Sequence, residues 1–315
     1  MKIFSVLFFT LFFSAAGNAQ QISKADYTYL QQKEDSLQGP ALKIIQGRNG
    51  SDRFIADSNF TRIFIRALKT HSSFDYPFDS LITISKLYAP DSSFRIFTWQ
   101  MVINENVIRQ HGAIQIKTAD GSLKLFPLID KSDITLDMAD TIGNNLGWMG
   151  AVYYKIILTK YKGHPFYTLL GFDENNIRSD KKIIEVLDFV NGAPVFGGRY
   201  FSIENVNVSP DNIARYVMEF KKETSPRLTY DDELEMIVME HLVSESNQPS
   251  KKWTLVPDGD YEGFKWVNGK WTYVNKIFNQ ITPEGQEPVP NPILKATEVQ
   301  DAGAKPVRPV KKKKG

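Results

Sequence analysis

The run Phe94-Arg95-Ile96-Phe97-Thr98-Trp99-Gln100-Met101-Val102-Ile103 decides the fold. It is dense in β-branched and aromatic residues, and Asn104-Glu105-Asn106 breaks it before a second such run from Val107 to Lys117. That pattern predicts a β-hairpin. Thr118-Ala119-Asp120-Gly121 then turns the chain into Ser122 to Leu128, which extends the hairpin to a three-stranded meander.

Outward from this meander the period of two persists. Strands are expected at Ala151 to Tyr161, Phe166 to Phe172, Lys181 to Phe189, Pro194 to Ile203, Ala214 to Lys221 and Leu234 to Val243. Phe264 to Val267 and Lys270 to Val274 flank Asn268-Gly269, a dipeptide that tolerates positive φ at both turn positions, and so predict a final hairpin. About a dozen strands with short turns and no intervening helices imply antiparallel pairing, because parallel neighbours need long crossovers. The expected fold is therefore mainly β, with antiparallel sheets arranged as a sandwich, an open barrel or a stacked meander.

Upstream the period changes. Ser23 is a candidate N-cap with Asp26 three residues on, and Gly39-Pro40 is expected to stop that helix. After Ser58, the residues Phe60, Ile63, Phe64, Ala67 and Leu68 fall on one helical face. Four regions follow: residues 1–19 as a signal peptide, 20–78 as an N-terminal helical segment, 79–282 as an antiparallel β domain and 283–315 as a Pro-rich tail. The tail has few apolar residues and is expected to be disordered.

Lys2, the apolar run Ile3 to Phe13 and the small residues Gly17 and Ala19 form a secretory signal with cleavage expected before Gln20. The run is too short for a membrane span, which takes about 20 apolar residues. No later segment reads as a transmembrane helix. The chain's formal charge of +2 hides an asymmetry, since Lys305, Arg308 and Lys311 to Lys314 form a basic end without acids and leave the body mildly acidic. Nucleic-acid binding by the body is not expected, and Lys311, Lys312, Lys313 and Lys314 could meet an anionic surface.

Cysteine is absent, which excludes disulfides and thiol chemistry. Neither a phosphate-binding glycine loop nor a nucleophile elbow appears, so no cofactor is expected. The four histidines His71, His111, His164 and His241 are far apart in sequence, and no metal site is expected from them. A nonlocal carboxylate–histidine site of a hydrolase could draw on His111, His241, Asp258 and Asp260. An aromatic-lined sugar or peptide binder could use Trp266 and Trp271.

Two stretches carry a resemblance. Leu169-Leu170-Gly171-Phe172-Asp173 followed by Lys181 to Leu187, and Val256-Pro257-Asp258-Gly259-Asp260-Tyr261-Glu262-Gly263-Phe264, are similar to an uncharacterised family of exported proteins from Gram-negative bacteria. Met239-Glu240-His241-Leu242 looks like a variant of that family's acidic-His-Leu stretch. The resemblance implies no activity and no catalytic residues. Read locally, the second stretch is expected to be a turn feeding the last hairpin. The expectation is an exported, non-catalytic protein of the periplasm or cell envelope, or a secreted one, that meets an envelope component by surface contact.

Overall fold

A computed structural model describes residues 22–203 and 213–278. The expected signal peptide and tail, with Lys311 to Lys314, lie outside the described residues. The described chain begins with two helices, α1 (Lys24–Gln46) and α2 (Gly50–Leu68). Three sheets follow, and the architecture is mainly β with no closed barrel among the described residues.

The first sheet runs in order β1 (Ser85–Tyr88), β2 (Phe94–Asn104), β3 (Val107–Ile116) and β4 (Lys124–Ile129), all antiparallel. In the second, β5 (Gly143–Asn144), β9 (Ala193–Phe196), β8 (Ser179–Val190), β7 (His164–Asp173) and β6 (Val152–Tyr161) lie side by side. Along the β9 side of β8, the stretch Ser179 to Glu185 is paired by β11 (Arg215–Lys221). The third sheet is β10 (Phe201–Ser202), β15 (Lys270–Val274), β14 (Leu255–Val267), β13 (Met236–Ser244) and β12 (Leu228–Asp231). Its β10–β15 contact is parallel and only two residues long. The short β1, β5 and β12 are outside the expected set, since two to four residues give too little alternation to read.

Alternation on β2 explains how the layers stack. Phe97, Trp99 and Met101 point to one face and share a core with Leu37, Ile44, Phe60 and Phe64 of the helices. Phe94 and Ile96 point to the other face, against Tyr153, Leu169, Ile183 and Leu187 of the second sheet. The second sheet repeats the device one layer on: Leu170 and Ile184 face Met239, Phe264 and Trp271 of the third. The order is therefore helices, first sheet, second sheet, third sheet. Buried on both faces, β2 carries apolar residues at both alternating positions, with Arg95, Thr98 and Gln100 among them.

Three local expectations are corrected. Gly39-Pro40 does not end α1, which continues to Gln46. Proline costs a helix one hydrogen bond, but Leu30, Leu37, Ala41 and Ile44 stay on one buried stripe through that step, and packing on α2 outweighs the loss. Next, α2 begins at Gly50 rather than after Ser58, because the Asn49 side chain caps it by accepting from the Asp52 N–H at 2.9 Å. Finally, Val256 to Gly263 is strand and not turn. Val256 and Pro257 pair with Val243 and Leu242, Tyr261 pairs with Glu240, and the Asp258-Gly259-Asp260 step, with Gly259 at φ +93°, is an irregularity inside β14.

Two guanidinium groups are buried among these layers. Arg215 on β11 pairs with Glu185 on β8 at 2.9 Å, both side chains being inaccessible to solvent. Tyr153 of β6 donates to the other Glu185 oxygen and receives a bond from Trp148 Nε1 at 2.7 Å. Arg215 also donates to the carbonyls of Met138 and Thr141. Burial and the adjacent Glu185 raise the Tyr153 phenol well above its ordinary pKa, so it remains a donor. Arg215→Met leaves Glu185 charged and buried, and the expected cost is about 3–5 kcal/mol in urea unfolding. A loss below about 0.5 kcal/mol, the scale of an ordinary surface change, would show that the second sheet does not depend on this pair.

Candidate functional site

Residues named from the sequence separate into three places. On the third sheet, a register shift between Glu240 and Leu242 brings His241 over β14, where Nδ1 lies 2.8 Å from Asp258 Oδ2. Asp260 turns elsewhere, with its N–H donating to Asp258 Oδ1 and its carboxylate 3.5 Å from Lys276 Nζ. His111 belongs to the first sheet. Its Nδ1 is 3.1 Å from Asp57 Oδ2 of α2, and the other Asp57 oxygen accepts from Trp99 Nε1 at 2.7 Å. His111 thus ties a helix to a sheet and does not join His241.

Glu262, which the sequence reading passed over, stands beside the His241–Asp258 pair. It sits on the inner face of β14 opposite Met239 and accepts hydroxyls from Tyr273, at 2.5 Å, and from Tyr216. Burial raises its carboxyl above the ordinary range against the opposing pull of Tyr273 and His241. Burial also pushes Asp258 upward, but the bonds from His241 and the Asp260 N–H outweigh it and hold that carboxyl below the ordinary range. A carboxyl raised above its ordinary range thus lies near an imidazole oriented by another that is lowered, a juxtaposition of the kind used in acid–base chemistry. The His241 and Asp258 side chains are 42% and 27% exposed on the sheet rim, an open setting for such a pair.

The tryptophans divide. Trp266 and Trp271 pair across β14 and β15 with ring centroids 5.3 Å apart. Trp271 is fully buried, donating from Nε1 to Thr168 Oγ1 at 2.8 Å, and has no face to offer a ligand. Trp266 leans on Phe166 at 5.7 Å. Their geometry is that of a staple between the second and third sheets.

Residues 130–151, between β4 and β6, form the other notable surface. This connection holds only a single 3-10 turn, Ser132–Ile134, and the two-residue β5. Leu136 is fully exposed, while Ile134, Leu146 and Ile142 expose 69%, 62% and 51%. The loop is not loose beneath them. Arg215 holds the carbonyls of Met138 and Thr141, the N–H groups of Ala214 and Arg215 donate to Ala139, and Arg109 and Arg199 pair with Asp133 and Asp140. Trp148, wholly buried, anchors its far end. The signal for this crest is in the sequence as isolated aliphatics, Ile134, Leu136, Ile142 and Leu146, among Asp, Thr, Asn and Gly, with neither helical nor strand period.

No family model, curated protein or solved structure matches the chain. Among the described residues, no three His, Cys, Asp or Glu side chains are placed to hold a metal ion. No described helix is long and apolar enough to cross a membrane.

The depressed Asp258 carboxyl gives a pH signature. A carboxyl whose folded pKa lies below its unfolded one contributes stability at neutral pH and loses it as pH falls through the folded value. Asp258→Asn is therefore expected to lower stability by at most about 1 kcal/mol at neutral pH, the pair being partly screened. In thermal unfolding across a pH series, the gap from wild type should close in acid. A gap independent of pH would mean that Asp258 acts through packing alone.

Proposed function

We propose that the protein is exported to the periplasm or cell envelope of a Gram-negative bacterium and acts there without catalysis, by surface contact with an envelope protein. The crest of Ile134, Leu136, Ile142 and Leu146 carries the contact reading. Connections of more than about 15 residues without structure of their own are usually functional. Aliphatic side chains held in water are costly at roughly 25 cal/mol per Å², so burying them on a partner is a ready source of affinity. Because the loop is pinned at Met138, Ala139 and Thr141, little ordering entropy opposes that contact.

Export is supported by the N-terminal pattern of Lys2, an apolar run and small residues before Gln20. The basic end, Lys311 to Lys314, supplies charge for an anionic surface. The partner's face is expected to be apolar with a polar rim, since Asp133 and Asp140 border the crest while engaged by arginines.

The test combines location with contact. Mass spectrometry of the protein recovered from cell fractions is expected to show a chain beginning at Gln20 in the periplasmic or envelope fraction. A photocrosslinker at position 134 should give a defined adduct with one envelope protein, lost in a Leu136→Ser/Leu146→Ser variant that keeps its unfolding midpoint. A cytoplasmic chain retaining Met1 would sink the export reading, and an adduct unchanged in the double variant would sink the contact reading.

A further inference from the structure

A crevice of about 320 Å³ opens where the first sheet meets the second, away from the crest. Phe94 and Ile116 of the first sheet form one wall, and Pro165, Tyr167 and Phe189 of the second form the other. The volume is at the lower end of that typical for small-molecule sites, which are mostly apolar with a few placed polar groups. The crevice lies at the ends of these strands, next to the filled core of Ile96, Ile114, Leu169 and Ile183.

Its polar groups are unequal. Asp188 accepts from the Phe189 N–H at 2.7 Å and lies 2.8 Å from His164 Nε2. Asp91, just behind Tyr167, accepts the Tyr167 hydroxyl and the Ser93 hydroxyl, each at 2.7 Å, and the Ser93 N–H at 3.1 Å. Both carboxylates are thus occupied by the protein's own donors. Lys124 is different. It lines the crevice, its ammonium resting 5.9 Å from the centroid of Phe126, and among the described residues it forms no ion pair. The imidazole of His164, half-exposed on the same rim, is already engaged through Nε2 by Asp188.

We infer that this crevice binds a small aromatic or branched aliphatic carboxylate, with the apolar body against Ile116, Pro165 and Phe189 and the carboxylate at Lys124. The choice of an anion follows from charge complementarity. A cationic ligand would meet the unpaired ammonium of Lys124 and would have to compete for carboxylates already held by hydrogen bonds. A neutral one would leave Lys124 unused. Size follows from the volume, which takes a body of roughly ten non-hydrogen atoms, and ligands of that size reach dissociation constants on the order of 0.1–1 mM.

The experiment is an amide chemical-shift titration of the full mature chain with three probes of one shape: 3-phenylpropionate, 3-phenyl-1-propanol and phenethylamine. The carboxylate is expected to shift the amides of Lys124, Phe189 and Gly192 and to bind at least threefold more tightly than either other probe. Lys124→Gln should reduce that preference to near unity while leaving the spectrum otherwise native. Ile116→Glu should abolish binding of all three, and its unfolding midpoint separates a filled crevice from a lost fold. No saturable shift at these amides would overturn the assignment. So would tighter binding of the amine, equal binding of the alcohol, or a carboxylate preference that survives in Lys124→Gln.

Discussion

The second sheet depends on one buried ion pair, Arg215 with Glu185. Two charges removed from water are expensive, and their mutual attraction compensates only when geometry and the remaining hydrogen bonds are complete. Here they are close to complete. Glu185 is held by Arg215 and Tyr153, and Arg215 spends its other donors on the carbonyls of Met138, Thr141 and Phe196. The pair joins β8 to β11, reaches β6 through Tyr153 and fixes the base of the 130–151 loop. A hydrophobic pair of the same volume could fill the space, but it could not hold a carbonyl-lined loop in place. In this molecule the buried charge serves position more than stability.

Arg95 solves the companion problem without a carboxylate. It is wholly buried on β2 and donates to Gln115, to the carbonyls of Tyr76 and Ser73 and to the Tyr88 hydroxyl. The rings of Phe74, Phe78, Tyr88 and Phe97 surround it, the nearest centroid at 4.7 Å. Burial lowers its pKa to about 10, which still leaves the guanidinium charged at neutral pH. The Ser73 and Tyr76 carbonyls lie in the connection after α2, so this one side chain fastens that connection to the first sheet. The two arginines, each a polar residue inside an apolar strand, stand where backbone carbonyls without regular partners had to be satisfied.

The β class and most strands were legible because β2, β7, β8 and the last hairpin carry strong local signals. The order of layers was not, since alternation says that Phe97 and Ile96 point apart without saying what each meets. Helix limits failed where a local rule met a tertiary one: the Gly39-Pro40 step is overridden by the stripe that packs on α2, and Asn49 is a cap that only the burial of Ala56 and Phe60 makes visible. The closeness of His241 to Asp258 depends on a register shift, which no periodicity announces. Glu262 was hidden for the opposite reason. It reads as one more acid in Asp258-Gly259-Asp260-Tyr261-Glu262, and only the pairing with Met239 puts it on the inner face.

Three of the four histidines stand beside an aspartate: His111 with Asp57, His164 with Asp188 and His241 with Asp258, at 2.8 to 3.1 Å. The fourth, His71, holds the Asp120 carbonyl at 2.8 Å. Each contact joins segments distant in sequence, a helix to a strand, a strand to its neighbour, or a turn to a turn. In a chain with no cysteine, such polar ties and the two buried arginines supply the specificity that cross-links supply in many exported domains. The same inventory separates structural groups from available ones. A histidine that orients itself on an aspartate between two strands has a sufficient reason to be there. The aliphatics of the 130–151 crest are exposed and the ammonium of Lys124 has no ion-pair partner among the described residues, so neither is tied within the chain as the histidines are.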